Sequence, residues 1–421
     1  MAQATDVELL VVGAGPSGIA AAVEAKRLGI DVLVVDKASF PRDKTCGDGL
    51  TAAALRTLER LGLDVRALSS YAPVRETVLV APGGRDYVLP LPGDGVYAAV
   101  VPRVELDAAL VDLTRSRGVD IRERAAVRAI EEQSSALIVE LADGSTVHAA
   151  WVIGADGHYS TVRRMLDRRD HRDSDRGAGP DLGTWHAFRQ YFRDVDDRRL
   201  WVIFDEGLLP GYAWVFPVGG GRANVGFGVL RDRPHRRGKM MAAQWRELAS
   251  HPAVRRALGP RAQPDSAYRA WPIPSAYDPR RIARGRVLYT GDAANVVDPM
   301  TGEGIAQALE TGELAARAIA ASPTSPGQAA ARYRDMVDST LGADLRFARL
   351  LQQILRSPVG ARSAIRAAGL TPWTRRNFAR WMFEDYPRAA IVTPRRWHRG
   401  MFTSAGAYRA APAPAPHSAR P

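Results

Sequence analysis

Six residues near the start of the chain constrain its fold more than any other feature. Gly13-Ala14-Gly15-Pro16-Ser17-Gly18 follows the apolar run Val7 to Val12 and opens a segment of helical composition, Pro16 to Leu28, that Gly29 stops. A second apolar run, Asp31 to Val35, comes next, and Asp36 closes it 18 residues after Gly18. Glycines at these positions let the backbone turn tightly and approach a pyrophosphate. The helix start adds unpaired N–H groups and partial positive charge. A carboxylate at the end of the following strand accepts hydrogen bonds from a ribose diol. Strand, loop, helix, strand and acid in this order define a Rossmann-type unit. Its candidate dinucleotide-binding residues are Gly13, Gly15, Pro16, Ser17, Gly18, Asp36 and the adjacent Lys37.

The chain is far longer than one such unit. Its 421 residues imply two or three domains, and 46% hydrophobic with 25% charged residues is an ordinary globular balance. No run of 18 or more apolar residues occurs; Gly207 to Gly221, one of the two longest uncharged stretches, is broken by Pro210, Pro217 and glycines, which excludes a spanning helix. The N-terminus lacks a cationic head before an apolar segment, arguing against a secretory signal. The single cysteine, Cys46, fits a reducing cytoplasm. A cytoplasmic location is therefore expected.

Net charge is +12, and it is unevenly placed. From Leu341 to Pro421 there are 14 Arg against Asp344, Glu384 and Asp385, whereas the preceding 340 residues are nearly neutral. Within the basic end, Trp373, Phe378, Trp381, Phe383, Trp397 and Phe402 interleave with Arg375, Arg376, Arg380, Arg395, Arg396 and Arg399. One reading is a solvated helical face. The other is peripheral contact with an anionic bilayer, arginines among headgroups and rings at the boundary. No nucleic-acid recognition module is visible, so no nucleic-acid partner is expected. The sequence leaves the oligomeric state open.

Further along, Arg75 to Val101 carries turn signals at Pro82-Gly83-Gly84 and Pro92-Gly93 with short strands between, and Leu106 to Arg117 returns to helical spacing. Ala126 to Ala155 reads as a meander with Asp143-Gly144 as a hairpin turn. From about Arg172 to Trp271 strands alternate at Trp201 to Phe204, Tyr212 to Phe216 and Asn224 to Leu230. Val287 to Tyr289 then resumes the nucleotide-domain style before a long helix. The expected fold class is α/β: a Rossmann-type nucleotide domain in pieces (1–74, 101–171 and 272–335), an inserted antiparallel β-sheet domain (75–100 and 172–271) and a C-terminal helical region (336–405). Residues 406–421, rich in Ala and Pro, are expected to form a disordered tail.

A single fingerprint is also consistent with a dehydrogenase using NAD alone, so other motifs decide. Phe40 to Leu50 contains Arg42, Lys44 and Cys46-Gly47-Asp48-Gly49. Gly291-Asp292-Ala293-Ala294 is followed by Pro299-Met300-Thr301-Gly302-Glu303-Gly304-Ile305, where a helix is expected to begin near Gly302. Ala155-Asp156-Gly157 ends a strand, and Arg103-x-x-Leu106-Asp107 opens a helix. Together these resemble the FAD-dependent geranylgeranyl reductase family, within the larger group that includes aromatic hydroxylases. The resemblance spans roughly residues 7 to 320.

The resemblance implies FAD as cofactor, with NAD(P)H or another reductant as electron donor. It implies that Arg42, Cys46, Gly47, Arg103, Val127, Asp156, Gly157, Gly291, Asp292, Pro299, Gly302, Gly304 and Ile305 join the glycine loop in holding it. The later helix start would aim N–H groups at the flavin N1/O2 edge, where reduced flavin carries negative charge. The family's cysteine lies near flavin and substrate, which makes Cys46 a candidate catalytic residue; the alternative is a small buried thiol. Thr51-Ala52 replaces the Thr-Pro of many relatives.

On the substrate side, Tyr212, Trp214 and Phe216 share parity on one strand and so project from one face. They are either an aromatic boundary over a flavin, suited to an apolar substrate such as a polyprenyl chain, or the sheet's own core. With Tyr191, from Ala187-Phe188-Arg189-Gln190-Tyr191-Phe192, the pair Tyr212 and Trp214 completes the candidate catalytic set. The leading functional expectation is hydride transfer from reduced flavin to an isoprenoid C=C bond. The alternatives are a flavin monooxygenase or other oxidative tailoring enzyme, which the same fold permits, and a non-catalytic prenyl-lipid carrier. No residue stands out in the sequence as proton donor.

Overall fold

Leu9, Leu10, Val11 and Val12 are apolar without alternation because both faces of their strand are covered. The strand Ala4–Val12 lies between two parallel neighbours, Val32–Val35 and Thr146–Gly154. The computed structural model describes residues 4–170, 185–230, 239–393, 395 and 406–408. Its first sheet runs Val287–Tyr289, Thr146–Gly154, Ala4–Val12, Val32–Val35, Asp120–Arg122, all parallel, the order of a Rossmann-type domain. Ala283–Arg284 adds an antiparallel edge, and the expected meander, Val127–Glu132, Leu137–Leu141 and Thr146–Gly154, continues it.

The glycine loop delivers the chain into the helix Pro16–Arg27, which packs against a helix nearly 300 residues away in sequence, Ile305–Ala321. The contact is backbone to backbone: a side-chain carbon on Gly312 would stand 2.1 Å from the Ser17 carbonyl oxygen. This later helix starts at Ile305 rather than near Gly302. Gly302 sits at φ +70, a conformation glycine takes freely and that leaves the helix to begin after the loop.

The second sheet runs Gln263–Pro264, Trp185–Arg193, Arg222–Leu230, Ala213–Val218, Leu200–Ile203, Glu76–Val80, Asp86–Pro90, with Arg269–Ile273 also on Trp185–Arg193. It is antiparallel except where Leu200–Ile203 joins Glu76–Val80 in parallel, stitching the early hairpin to the later strands. Val225, Phe227 and Val229 face the helices Lys239–Ser250 and Pro252–Leu258 in one core. The opposite face carries Tyr191, Trp214 and Phe216. Tyr212 precedes its strand by one residue. A small third sheet joins Gly49–Thr51, Ala98–Val100 and Ala72–Pro73.

The C-terminal helices Ala343–Leu355, Pro358–Ala368 and Pro372–Met382 close over the second sheet, with Ile365, Ala379 and Phe383 in its core. The Phe383 carbonyl accepts from Ala52 N–H at 2.8 Å. Residues 406–408, assigned from composition to the disordered tail, are packed: Ala407 pairs with Val96 in both directions, and the Tyr408 hydroxyl donates to the Leu63 carbonyl. Backbone pairing and one buried ring outweigh local composition there. Residues 409–421 of that assignment lie outside the described residues.

Replacing Gly312 with Val should separate the two helices and lower stability by about 1–3 kcal/mol. Gly327→Ala, where a side-chain carbon meets nothing within 4 Å, should be near neutral. Urea unfolding of both variants measures the difference.

Candidate active site

Both helix starts open into one cavity of about 430 Å³, lined by Gly15 on one side and Gly304 on the other. At its first end the strand Ala4–Val12 ends in Gly13, whose φ of +108 excludes other residues; a side-chain carbon there would meet the Ala155 carbonyl oxygen at 2.4 Å. Gly18 must also lack a side chain, because its Cβ would stand 1.8 Å from the Gly13 oxygen. Asp36 holds the loop from the next strand. Its Oδ2 accepts from Ala14 N–H at 2.7 Å and its Oδ1 from Ala38 N–H at 2.8 Å.

Neither helix has a side-chain cap at its start, Gly15 in one and Gly304 in the other, and neither carries an acid in its first turn. Their first N–H groups are therefore free to meet an anion or a ring edge. Asp156 caps the helix Thr161–Asp170 through Oδ2, which accepts from Thr161 and Val162 N–H, yet its buried Oδ1 has no partner. Burial pushes its carboxyl up. Arg103 donates to both oxygens of Asp107 at 2.7 and 2.8 Å, and Arg42 Nη1 stands 3.0 Å from Asp107 Oδ2. Lys44 lies 3.9 Å from Asp292 and 4.0 Å from the Trp271 ring centre; burial pulls its pKa down to about 8.

At the other end Tyr212, Trp214 and Phe216 form one side of the cavity, ring centres 6.1 and 6.0 Å apart. The two sequence readings of this stripe meet in one geometry: the rings pack with the core, and they also face the cavity. Trp214 Nε1 donates to Asn224 Oδ1 at 2.9 Å, and a carbon on Gly226 would stand 2.3 Å from the indole. Gly228 faces the cavity with nothing within 4 Å of that position. Opposite, the backbone of Cys46, Gly47 and Gly49 approaches the Phe216 ring, 3.4 Å from a Cβ on Gly47. The Cys46 thiol is pushed up to about 11, burial first, so it stays protonated at neutral pH.

Of the residues named from sequence, Gly13, Gly15, Pro16, Ser17, Asp36, Lys37, Arg42, Cys46, Gly47, Arg103, Val127, Asp156, Gly157, Tyr212, Trp214, Asp292, Pro299, Gly302, Gly304 and Ile305 line this cavity. Three do not. Gly18 packs against Gly13, and Gly291 donates its N–H to Thr311 while resting on Ser17. Tyr191 faces inward behind the Cys46 loop, where its hydroxyl donates to Asp48; it supports the loop rather than bordering the cavity.

Asp48 is the residue that sequence reasoning passed over. It is fully buried at φ +64 and accepts from Asn224 Nδ2 at 2.8 Å and Arg103 N–H at 3.3 Å as well as from Tyr191. Burial pushes its carboxyl up to about 6 against those bonds. The one available signal was an acid between two glycines, a residue that tolerates the left-handed region. Glu384 and Arg388 were missed because they reach the site from the far C-terminus. Arg388, 1% exposed, pairs with Asp298 at 3.0 Å and Glu384 at 3.2 Å. Trp185, Tyr159 and Trp271 also line the cavity unforeseen. Among the described residues no cluster of His, Cys, Asp and Glu could hold a metal ion.

Two converging uncapped helix starts, a glycine loop under a carboxylate and an orphaned Asp156 oxygen fit an elongated dinucleotide whose ring end reaches the aromatic residues. Comparison with known proteins agrees. A family described as "FAD binding domain" matches residues 6–333. Menaquinone reductase of Mycolicibacterium smegmatis is 38% identical over 330 residues, covering 74% of this chain and 76% of its own. Digeranylgeranylglycerophospholipid reductase 2 of Methanopyrus kandleri is 29% identical, covering 82% and 85%. Among solved structures, a geranylgeranyl bacteriochlorophyll reductase-like protein of Thermoplasma acidophilum superposes with TM-score 0.75 at 20% identity over 93% of this chain and 100% of its own. The flavin-dependent halogenase CmlS reaches 0.68 at 20% identity, which marks a shared fold.

The protein is thus a FAD-dependent oxidoreductase. Within that class it belongs to the geranylgeranyl reductase family of the FAD-binding superfamily.

When bound, FAD would supply a two-electron store at the ring end. This chain's own residues would hold it: Asp36 at the ribose, the two helix starts at phosphate and ring edge, Arg42 and Lys44 as cations. Arg388→Met should cost about 3–5 kcal/mol, because Asp298 and Glu384 would be left buried without their counter-charge. Chemical denaturation of the FAD-loaded variant against wild type measures it.

Proposed function

We propose that this protein reduces a carbon–carbon double bond in the polyprenyl part of a lipid or quinone. Bound FAD would supply the hydride chemistry, with a reduced electron donor as its source of electrons. The observation that carries this reading is the side formed by Tyr212, Trp214 and Phe216, continuous with the dinucleotide groove and extended by Ile273, Val297 and Met300. Such a surface binds a long apolar chain through buried area and offers it few hydrogen bonds. The names of the relatives favour the same substrate feature, since menaquinone and digeranylgeranylglycerophospholipid both carry isoprenoid chains on a polar head. Because an unactivated alkene accepts hydride poorly, the aromatic residues must fix its face against the flavin ring.

The decisive experiment reduces the FAD-loaded protein anaerobically and adds a geranylgeranyl lipid, a polyprenyl quinone or O₂. Flavin reoxidation with a product heavier by two hydrogens is the expected result. Hydroxylated product formed only with O₂ would replace this reading with a monooxygenase. Phe216→Ala should weaken substrate binding by about 1.5–3 kcal/mol, roughly a ten- to hundredfold rise in KM. FAD content should stay at the wild-type level.

The reading also includes peripheral attachment to an anionic membrane, through a set of residues that shares only Trp373 and Arg376 with the one the sequence suggested. Phe378 is half-buried, Trp381 and Phe383 are buried, and Arg380 is buried beside Asp385; Arg396, Trp397, Arg399 and Phe402 lie outside the described residues. Exposed apolar side chains instead gather on the C-terminal helices: Leu350, Ile354, Val359, Leu370 and Trp373, the last 66% exposed. Exposed Arg356, Arg362, Arg366 and Arg376 accompany them. No helix among the described residues is long and apolar enough to cross a membrane. Flotation with phosphatidylglycerol vesicles should carry the wild type, and the double variant Leu370→Gln, Trp373→Gln should stay behind. Equal flotation of both would remove the attachment.

A further inference from the structure

Beside the cavity Arg388 pairs with Asp298 and Glu384, and Glu303, which lines the cavity, lies within electrostatic reach of all three. Two of the three carboxyls are well supplied with donors. Asp298 accepts from Met300 N–H at 2.9 Å, Thr301 N–H at 2.8 Å and the Thr301 hydroxyl at 3.0 Å, besides its pair with Arg388. Glu384 accepts from Thr51 Oγ1 at 2.8 Å, Gln307 Nε2 at 3.0 Å and Arg388 Nη2 at 3.2 Å. The third differs. Glu303 donates and accepts through its backbone, but among the described residues no group hydrogen-bonds to its carboxyl.

That carboxyl faces the reaction space. Its Oε1 lies 3.3 Å from the position of a side-chain carbon on Gly49, and the Phe216 ring is 3.5 Å from the same point. Glu303 lines the cavity together with Cys46, Tyr212 and Trp214. Three carboxylates near one cation leave surplus negative charge in a largely desolvated site, so a proton is held there. It settles on the group to which no protein donor is bound. Burial, followed by repulsion from Glu384 and Asp298 against the pull of Arg388, pushes Glu303 up to about 8.

We propose that Glu303 is the acid that delivers the proton during alkene reduction, a role that rests on the alkene-reducing reading above. Its carboxyl O–H bond breaks as a C–H bond forms at one alkene carbon, while the other carbon takes the hydride. The π bond is lost, the reduced cofactor is oxidised by two electrons, and water restores the proton to the carboxylate left behind. Proton delivery also makes the acceptor carbon electron-poor, which an unactivated alkene requires. Lys44, drawn down to about 8, is held at Asp292 and over the Trp271 ring, and the remaining neighbours are weaker acids. Cys46 is pushed up to about 11, and the Tyr212 hydroxyl is raised beyond the phenol range and already donates to the Thr301 carbonyl.

The test uses FAD-loaded protein and has two readouts. In infrared titration, wild type should show a protonated-carboxyl band that fades with a midpoint near pH 8 and is missing from Glu303→Gln. A band that persists unchanged in the variant overturns the proposal. In anaerobic single turnover with a geranylgeranyl lipid in D₂O, wild type should place one solvent deuterium on the product and slow as pH rises past about 8, where the acid is lost. Glu303→Gln should slow about a hundredfold or more, with unchanged flavin spectrum and reduction rate. A wild-type rate in this variant overturns the proposal. Should Glu303→Gln lose FAD, Glu303→Asp decides: a slowed step with a displaced alkaline limb supports the role, and an unchanged profile overturns it. A wild type that reduces no alkene defeats the reading of function, while the infrared band still reports whether Glu303 holds the proton.

Discussion

The backbone contact between Gly312 and Ser17 is the constraint on which the rest of the site depends. Two helices encoded far apart meet without intervening side chains, so their N-termini reach the same cavity together. Each start is uncapped, and each contributes N–H groups and partial positive charge to a place where phosphate and a reducible ring must sit. Were the helices held apart by even one methyl group, those donors would no longer converge. Gly312 serves this close approach, while Gly13 and Gly18 serve the tight loop that leads into the first helix.

Around that pair the molecule divides its polar and apolar tasks by sheet. The parallel sheet ends in carboxylates that line the cavity: Asp36, which holds the glycine loop, and Asp156, whose Oδ1 has no partner. The second sheet turns one face to the helices Lys239–Ser250 and Pro252–Leu258 and the other to the cavity and the C-terminal helices. Its aromatic strand packs in the core and lines the cavity with the same rings, which is why core and cavity wall cannot be separated there. Between them the Cys46–Gly49 loop is pinned from behind by Asp48, Tyr191 and Asn224. A tethered loop costs less to order when a ligand arrives.

The C-terminal region is part of the site as well as a cover. Arg388 and Glu384 brace the loop that precedes the Ile305 helix, and Glu384 also accepts from Thr51 at the start of the helix Ala52–Arg60. A charge cluster with more carboxyls than cations gives one acid a proton to spare at neutral pH. That excess follows from the placement of four side chains drawn from two distant stretches of chain.

Much was fixed by local order. The glycine loop, Asp36 and the motifs around Asp156 and Asp292 were legible because each is a short run whose backbone conformation and chemistry are set by adjacent residues. The alternating parity of Tyr212, Trp214 and Phe216 likewise gave a shared face before any fold was known. What only the tertiary structure decided concerns partners distant in sequence: Tyr191 turned behind the loop, Phe378, Trp381 and Phe383 drawn inward rather than left on a basic surface, Ala407 paired with Val96, and Glu303 left without a donor beside Glu384 and Arg388. Side-chain charge and burial are properties of the surroundings, and a linear chain does not state which of its far segments will supply them.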